Sequence, residues 1–378
     1  MSLRQAALEF GLKKSTIGYW LERARGQRVD RADLSNRKPG RAWSRTSPHA
    51  ERRIVQVRSE LGESVLGERG AKAIHRVLKS DVPEPPSVAT INRVLSRLGM
   101  QDSARRVRRP APPAGWYLPA VMIRRAELDS FDFIEDLKIA DGPLVDVLTA
   151  KSLHGAVTDA WVMGKKSAKE TVFRLLERWN RTGLPAFAQF DNDTIFQGAH
   201  HFADTVGAVS RLCLQLRVVP VFVPPFEHGM QNAIESFNAL WQAKVWHRHR
   251  VDTPLELQQL SNEYIAAHRA RVAERTEAAP RRRRLPEDFR FDPYRELRGQ
   301  MIFVRRTDER GRVHMLGRSF DVSSHWLHRL VRCEVDFDKH QIRCIALRRR
   351  VPQEQSLVAI IEYTRVEKRF MGKGWSVQ

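Results

Sequence analysis

Two stretches rich in arginine and proline divide this chain before anything else about it is decided. RVDRADLSNRKPGRAWSRTSP over 28–48 and RRVRRPAPPAGW over 105–116 carry too little apolar surface to offset the entropy of ordering them. Neither can form the interior of a folded unit. They predict basic linkers at 28–47 and 101–124, with a third at 276–297 around Arg281, Arg282, Arg283 and Arg284. Folded pieces are then expected at 1–27, 48–100, 125–275 and 298–365, a division that suits 378 residues, more than one core usually organises.

The charge says what such a chain meets. Lys and Arg number 65 against 44 Asp and Glu, a formal net charge of +21, which makes a polyanion the leading partner and nucleic acid the first of these. A membrane surface is the rival, but there is no apolar run of spanning length and no basic amphipathic helix with a lipid-like face. Cys213, Cys333 and Cys344 are scattered without CxxC spacing, so buried free thiols in a reducing cytoplasm are expected rather than disulfides or a zinc finger. His200, His201, His247 and His249 lack a zinc ligand pattern as well, and read as solvated or DNA-facing. No signal stretch opens the sequence.

Within the first piece, Ala6, Ala7 and Phe10 make one apolar face, Gly11 breaks it, and Ile17, Trp20 and Leu21 begin another. This is helix-turn-helix spacing, with Ser15 or Thr16 as the second N-cap and Lys14, Thr16, Tyr19 and Arg23 on a face suited to phosphates and base edges. A solvated helical hairpin is the plainer alternative. Three more helices are expected over 48–100, the last announced by Pro85-Pro86-Ser87 and carrying Ser87, Thr90, Asn92, Arg93 and Arg97 on its polar side, a second candidate reader of DNA. From Glu127 the pattern turns to strands at 128–139, 144–150 and 156–163, a helix at 167–180, and a short strand that runs from Phe187 straight into Asp191. An α/β layer follows, with Asp191 at a strand's C-terminal end, where such sheets place their sites. A helix near 199–216, a strand at 218–223 and a helix at 231–247 come next, with Trp241 and Trp246 read as core. Short alternating runs over 300–350 predict a small antiparallel barrel.

Phosphodiester chemistry needs an activated water or 3′-hydroxyl and a stabilised leaving oxygen, work that a pair of hard divalent cations held by carboxylates can do. The order of the pieces, together with LDSFDF (128–133), FDNDTIF (190–196) and PPFEHGMQNAIESFN (224–238), resembles the insertion-sequence transposases of the retroviral-integrase superfamily over nearly the whole chain. The resemblance implies helix-turn-helix domains, an α/β RNase H-like catalytic core built on a mixed five-stranded sheet with helices, and an all-β SH3-like C-terminal barrel. It further implies an Asp, Asp, Glu triad holding two Mg²⁺ or Mn²⁺ ions, cleavage at transposon ends and strand transfer into target DNA. The implied partners are double-stranded DNA, as terminal inverted repeats and target, and further copies of the chain as a dimer or higher oligomer, in a bacterial, nucleoid-associated cytoplasmic setting. A transposase-derived DNA-binding protein that no longer cuts is the alternative.

Carried over by motif, Asp191 and Glu235 become metal ligands. The family's Asp-Asn-Gly is Asp191-Asn192-Asp193 here, followed by Phe196, and its prolines, Gly, Glu and Asn are Pro224, Pro225, Gly229, Glu235 and Asn238. Asp193 replaces the Gly, and a fourth acid there would raise a neighbour's pKa. Asp191 and Glu235 stand 44 residues apart, longer than the usual interval, with extra residues around Met230 to Ala233 and Glu227 as the fallback. For the first acid, Asp129 and Asp132 are three residues apart on one strand and face opposite ways. Asp129, between Leu128 and Ser130, is preferred by motif, Asp132 is the alternate and Asp136 the third. Lys244, Arg248 and Arg250 are expected beside the metal site, gripping phosphate, or else solvated.

Overall fold

The computed structural model describes residues 2–32, 46–101, 112–140, 142–199, 202–225, 227 and 229–365. His200 and His201 lie outside them, as do residues 33–45 and 102–111 of the linkers expected at 28–47 and 101–124; the rest of the second is no free linker, because Trp116, Tyr117, Leu118 and Val121 are buried in an apolar cluster. The chain divides into two compact units, Met1–Val57 with Ile74–Gln101, and Arg58–Ala73 with Asp102–Gln378.

The first unit is helical: α1 (Leu3–Glu9), α2 (Lys14–Ala24), α3 (Pro48–Glu63), α4 (Ala71–Asp81) and α5 (Val88–Arg97). Ser2 and Gln5 form a reciprocal capping box at α1. Gly11 makes the expected break with a positive φ of 61°. The expected cap of α2 is corrected: the helix starts at Lys14, with Lys13 at the N-cap and no side-chain cap bond, so Ser15 and Thr16 lie in the first turn. Phe10 and Leu21, expected on apolar inner faces, are 63% and 57% exposed. Two helices of 7 and 11 residues enclose too little volume to cover them. The later helices do bury a stripe, Ile54, Val57, Ile74, Leu78, Ile91, Val94 and Leu95, at the spacing that predicted them.

The second unit opens with α6 (Pro119–Met122) and three antiparallel strands, β1 (Leu128–Lys138), β2 (Leu144–Ser152) and β3 (Thr158–Met163). Then come α7 (Ala168–Thr182), β4 (Phe187–Phe190), α8 (Thr194–Gln197), α9 (Ala208–Gln215), β5 (Val219–Phe222), α10 (Asn232–Trp241), a π-helical stretch Gln242–Trp246, α11 (Pro254–Arg271) and α12 (Ala273–Glu277). β4 lies parallel to β1, and β5 parallel to β4. The order β3-β2-β1-β4-β5 is a five-stranded mixed sheet with helices, consistent with an RNase H-like α/β core. The helix expected near 199–216 is shorter, Ala208–Gln215.

The C-terminal strands are not separate from the core sheet. β6 (Gln300–Arg306) pairs in parallel with β5, Val221 to Ile302 and Phe222 to Phe303. Through β9 (Leu330–Asp336), β10 (Gln341–Ala346) and β11 (Leu357–Glu362) it extends the sheet to nine strands; β7 (Arg312–Met315) and β8 (Arg318–Asp321) form a hairpin apart from it. The reason lies in the run Met301 to Val304, whose side chains are all buried. A strand covered on both faces belongs in a sheet interior rather than on a half-solvated barrel wall. Phe222 stacks on Phe303 at 5.1 Å between ring centroids, and one buried cluster runs from Phe131 to Tyr363. Nor is 276–297 a free linker: Arg283 bridges to Leu184, and Phe291 and Leu297 are buried in that cluster.

Candidate active site

Strand parity sorts the acids before any side chain is considered. In the parallel pair of β1 and β4, Ser130 stands beside Gln189. Two residues on, the same parity puts Asp132 and Asp191 on one face at neighbouring strand positions, with strands about 4.8 Å apart. Asp129, of opposite parity, goes to the other face.

The preference for Asp129 is therefore corrected. Its carboxylate is wholly buried, takes hydrogen bonds from Arg178 Nε (3.1 Å), Arg282 Nη2 (2.6 Å), Ser152 Oγ (2.9 Å) and Trp179 Nε1 (3.3 Å), and meets neither Asp191 nor Glu235 among these partners. Burial by itself would raise its pKa, but the guanidiniums of Arg178 and Arg282 hold it far below the usual carboxylate range. Arg178 also bonds Asp159, which Arg181 and Arg269 share. Arg282, expected to touch DNA, is thus a core ion-pair partner. Arg283 donates to the carbonyls of Leu216 and Arg217, while Arg281 and Arg284 are exposed. Asp136 sits at the bulge that interrupts the β1 and β2 register, with φ 56° and its side chain exposed.

On the opposite face no cation among the described residues is bonded to Asp132. Its Oδ2 accepts from Asn238 Nδ2 at 2.7 Å and its Oδ1 from the Phe133 amide at 3.0 Å. Thr149, directly across on β2, donates to Asn238 Oδ1 at 2.7 Å and so fixes the amide that holds the acid. Burial first, then the negative charge of Asp191, and also that of Glu235, push the Asp132 carboxyl up to about 7. Asp191 is raised too, chiefly by burial; the charge of Asp193 adds to this, while the Asp193 amide, bonded to Asp191 Oδ1 at 2.9 Å, and the charge of Lys166 work against it. Asp193 itself caps α8, accepting from the Ile195 amide at 2.8 Å. Lys166 Nζ joins it at 2.6 Å and Glu135 at 2.9 Å. Asn192 is a latch: its Nδ2 donates to Val223 O and its Oδ1 accepts from buried Arg305 at 2.7 Å.

Glu235 lies in the first turn of α10 and is exposed. The extra residues before it are pinned at Met230, whose carbonyl accepts from Gln189 Nε2 at 3.0 Å and Tyr117 Oη at 3.4 Å. Glu227 is instead paired with Arg306. Among the described residues no three His, Cys, Asp or Glu side chains converge closely enough to enclose a metal ion as they stand. The donor chemistry nevertheless fits a hard cation: the Asp132 carboxyl is raised by burial and by the charges of Asp191 and Glu235, and among the described residues an amide and a backbone N–H hold it.

Other expected contacts are engaged elsewhere. Lys244 donates to Gly67 O at 3.3 Å, and Arg248 to Ser64 O and Glu63 O at 2.8 Å each, so both clasp the stretch preceding α4; Arg250 is exposed. On α2, Lys14 is exposed and Thr16 half-buried. Tyr19 packs edge-on against Trp20, and Arg23 lies over the Trp20 ring at 5.0 Å. At α5, Ser87 is the N-cap, accepting from the Thr90 amide at 3.2 Å, Arg93 reaches Thr90 Oγ1 at 3.4 Å, and Asn92 is exposed. The three cysteines are free and buried, as expected. Reading the sequence missed Arg178, Arg305 and Lys151. Arg178 interrupts the apolar stripe Val172, Leu175 and Trp179 of α7, and Arg305 ends an unbroken apolar run, which is the signal each offered.

No family model matches the chain, and no curated protein matches it. Among solved structures it is similar to the magnesium complex of the HTLV-2 integrase catalytic core domain in its dimeric form (14% identity, 36% of this chain and 82% of that one, TM-score 0.29). The trimeric form of that domain (13%, 36% and 81%, 0.28) and the catalytic core domain of BIV integrase (13%, 37% and 81%, 0.28) are also similar. Likeness of this degree carries no functional weight; the chemistry rests on the side chains. Among the described residues no helix is long and apolar enough to cross a membrane.

Proposed function

We propose that the chain is a DDE-type DNA transposase, a polynucleotidyl transferase that cleaves at transposon ends and joins them to target DNA, with Asp132, Asp191 and Glu235 as its acids. The observation that carries this reading is the Asp132 carboxyl, pushed up to about 7 by burial and by two other acids, with no cation among the described residues bonded to it. A carboxyl so placed has an unmet need for positive charge. Asp132, Asp191 and Glu235 would hold two Mg²⁺ or Mn²⁺ ions, which when bound supply electrostatic stabilisation of the attacking and leaving oxygens. Asn238 and Thr149 orient Asp132, the Asn192 and Arg305 latch holds the strand end that carries Asp191, and the +21 charge draws in DNA. DNA ends and target are the substrates, and a homo-oligomer would bring two ends together.

The test is a donor-to-target joining assay with Mn²⁺ or Mg²⁺, beside isothermal titration of Mn²⁺. The intact chain should join strands, and Asp132→Asn should abolish both joining and metal binding while DNA binding persists. Full joining activity in Asp132→Asn would sink the assignment. The second reading, a DNA binder that does not cut, draws on the absence of a ready three-acid group among the described residues; it predicts unchanged DNA binding and no joining in any variant.

A further inference from the structure

Beside the acids, on the same face, sits a knot of cations that the proposed chemistry does not use. Lys151 on β2 stands opposite Ser130, one side-chain repeat beyond Thr149, which puts it about 7 Å along the strand from the position facing Asp132. Its Nζ donates to Ala233 O at 3.1 Å, two residues before Glu235, and lies 6.0 Å from the Phe237 ring. Two guanidiniums reach the same corner. Arg275 donates at 2.6 Å to the carbonyls of Leu153 and His154, just past Lys151. Arg271 approaches His268 Nε2 at 3.5 Å, and His268 is tied through Thr158, the β3 residue paired with Lys151.

These groups are crowded against their own charge. Arg275 and Arg271 add to burial in pushing the Lys151 ammonium down to about 8, and the same cations add to burial in bringing His268 to about 4. Two acids face them: Glu68, 3.2 Å from Arg271 Nε, a buried N–H that nevertheless makes no hydrogen bond, and the buried Glu127, whose oxygens take the His154 and Gly155 amides at 2.9 Å each. Three cations against two carboxylates, with a donor left over, are complementary to a further anion. Arg275 is exposed, so the corner opens to solvent.

We infer that Lys151, Arg271 and Arg275 form a phosphodiester subsite that seats the DNA backbone one step from the acids. This rests on the reading that the acid site acts on DNA. A phosphate group is the shared chemistry, and the backbone of a duplex is its source.

Binding of the full chain to a 20-base-pair duplex, measured in EDTA across a salt series, tests it without any cleavage. Arg275→Gln and Lys151→Gln should each flatten the slope of log K against log salt by about 1, the signature of one lost phosphate contact. Lys151→Arg should restore the slope, which a purely structural role for the lysine would not require. Slopes unchanged in both glutamine variants would overturn the subsite. Should Lys151→Gln fail to fold by circular dichroism, Arg275→Gln, altered at the surface, still decides. Competition by inorganic phosphate stronger than by chloride at equal ionic strength would assign the corner to a free anion and overturn its role in seating a strand. Failure of the acids is separable: normal slopes and slope losses with no metal-dependent joining would remove the transferase reading and leave the subsite, whereas joining with unaltered slopes would do the reverse.

Discussion

Asp129 and Asp132 sit on one strand three residues apart, and their surroundings are opposite in kind. Around Asp129 the far face of the sheet gathers Arg178 and Arg282 on one acid and Arg178, Arg181 and Arg269 on the next, Asp159. Around Asp132 the near face gathers acids, with an asparagine in place of an arginine. A buried charge whose partners surround it is committed to holding the fold together. One surrounded by like charges is poised to bind what the chain lacks. The same residue type therefore performs structural work on one face and is free for chemistry on the other.

The contrast breaks most sharply under paired substitution. Asp129→Asn leaves Arg178 and Arg282 without their carboxylate and should cost roughly 3–5 kcal/mol of unfolding free energy, read by urea denaturation. Asp132→Asn removes a repelled charge and should leave stability unchanged or raised in the same experiment. Equal losses in the two would mean that the faces do not differ as described.

Next in size is Arg305→Met, which strips Asn192 Oδ1 and the carbonyls of Val223 and Val304 of a buried donor. A loss of about 1–3 kcal/mol is expected, together with weaker Mn²⁺ binding in calorimetry, because the strand end that carries Asp191 is no longer latched. Stability lost with metal affinity intact would separate the latch from the site.

The pH dependence has opposite signs on the two faces. Asp132 is raised from an unfolded value of about 3.9 to about 7, so the folded chain holds a proton there that the unfolded chain has released. Its contribution therefore erodes stability as pH rises between those values, by at most about 1.4 kcal/mol per pH unit. Asp129 is lowered, so its contribution is full above the unfolded value and is lost only as pH falls through the folded one. Denaturation at pH 5 and pH 8 should show the downward trend in the native chain and its removal in Asp132→Asn. Mn²⁺ affinity should rise over the same interval, since binding displaces the proton.

The smallest effect concerns the clasp on the stretch preceding α4. Lys244→Gln, exchanging one exposed-edge contact, should change stability by less than about 1 kcal/mol and leave Mn²⁺ binding as it was; a large loss in either would place Lys244 closer to the acids than its bond to Gly67 implies.

Much of this was legible beforehand. The strand run into Asp191 and the helix carrying Glu235 and Asn238 follow from apolar periodicity, and the opposition of Asp129 and Asp132 from strand parity. How the C-terminal strands join the core sheet was not legible, because short alternating strands look alike whether they close on themselves or extend a neighbour's sheet. Likewise, motif position favoured Asp129, since the arginines that neutralise it come from residues 178 and 282, far along the chain.

The amino-acid order by itself determined which residues alternate, where helices begin, and that two acids of β1 face apart. Which of those two faces receives α10 and which receives α7 was decided only by packing. A strand covered by helices on both sides is apolar on both, so its own pattern holds no mark of the face on which the distant charges arrive.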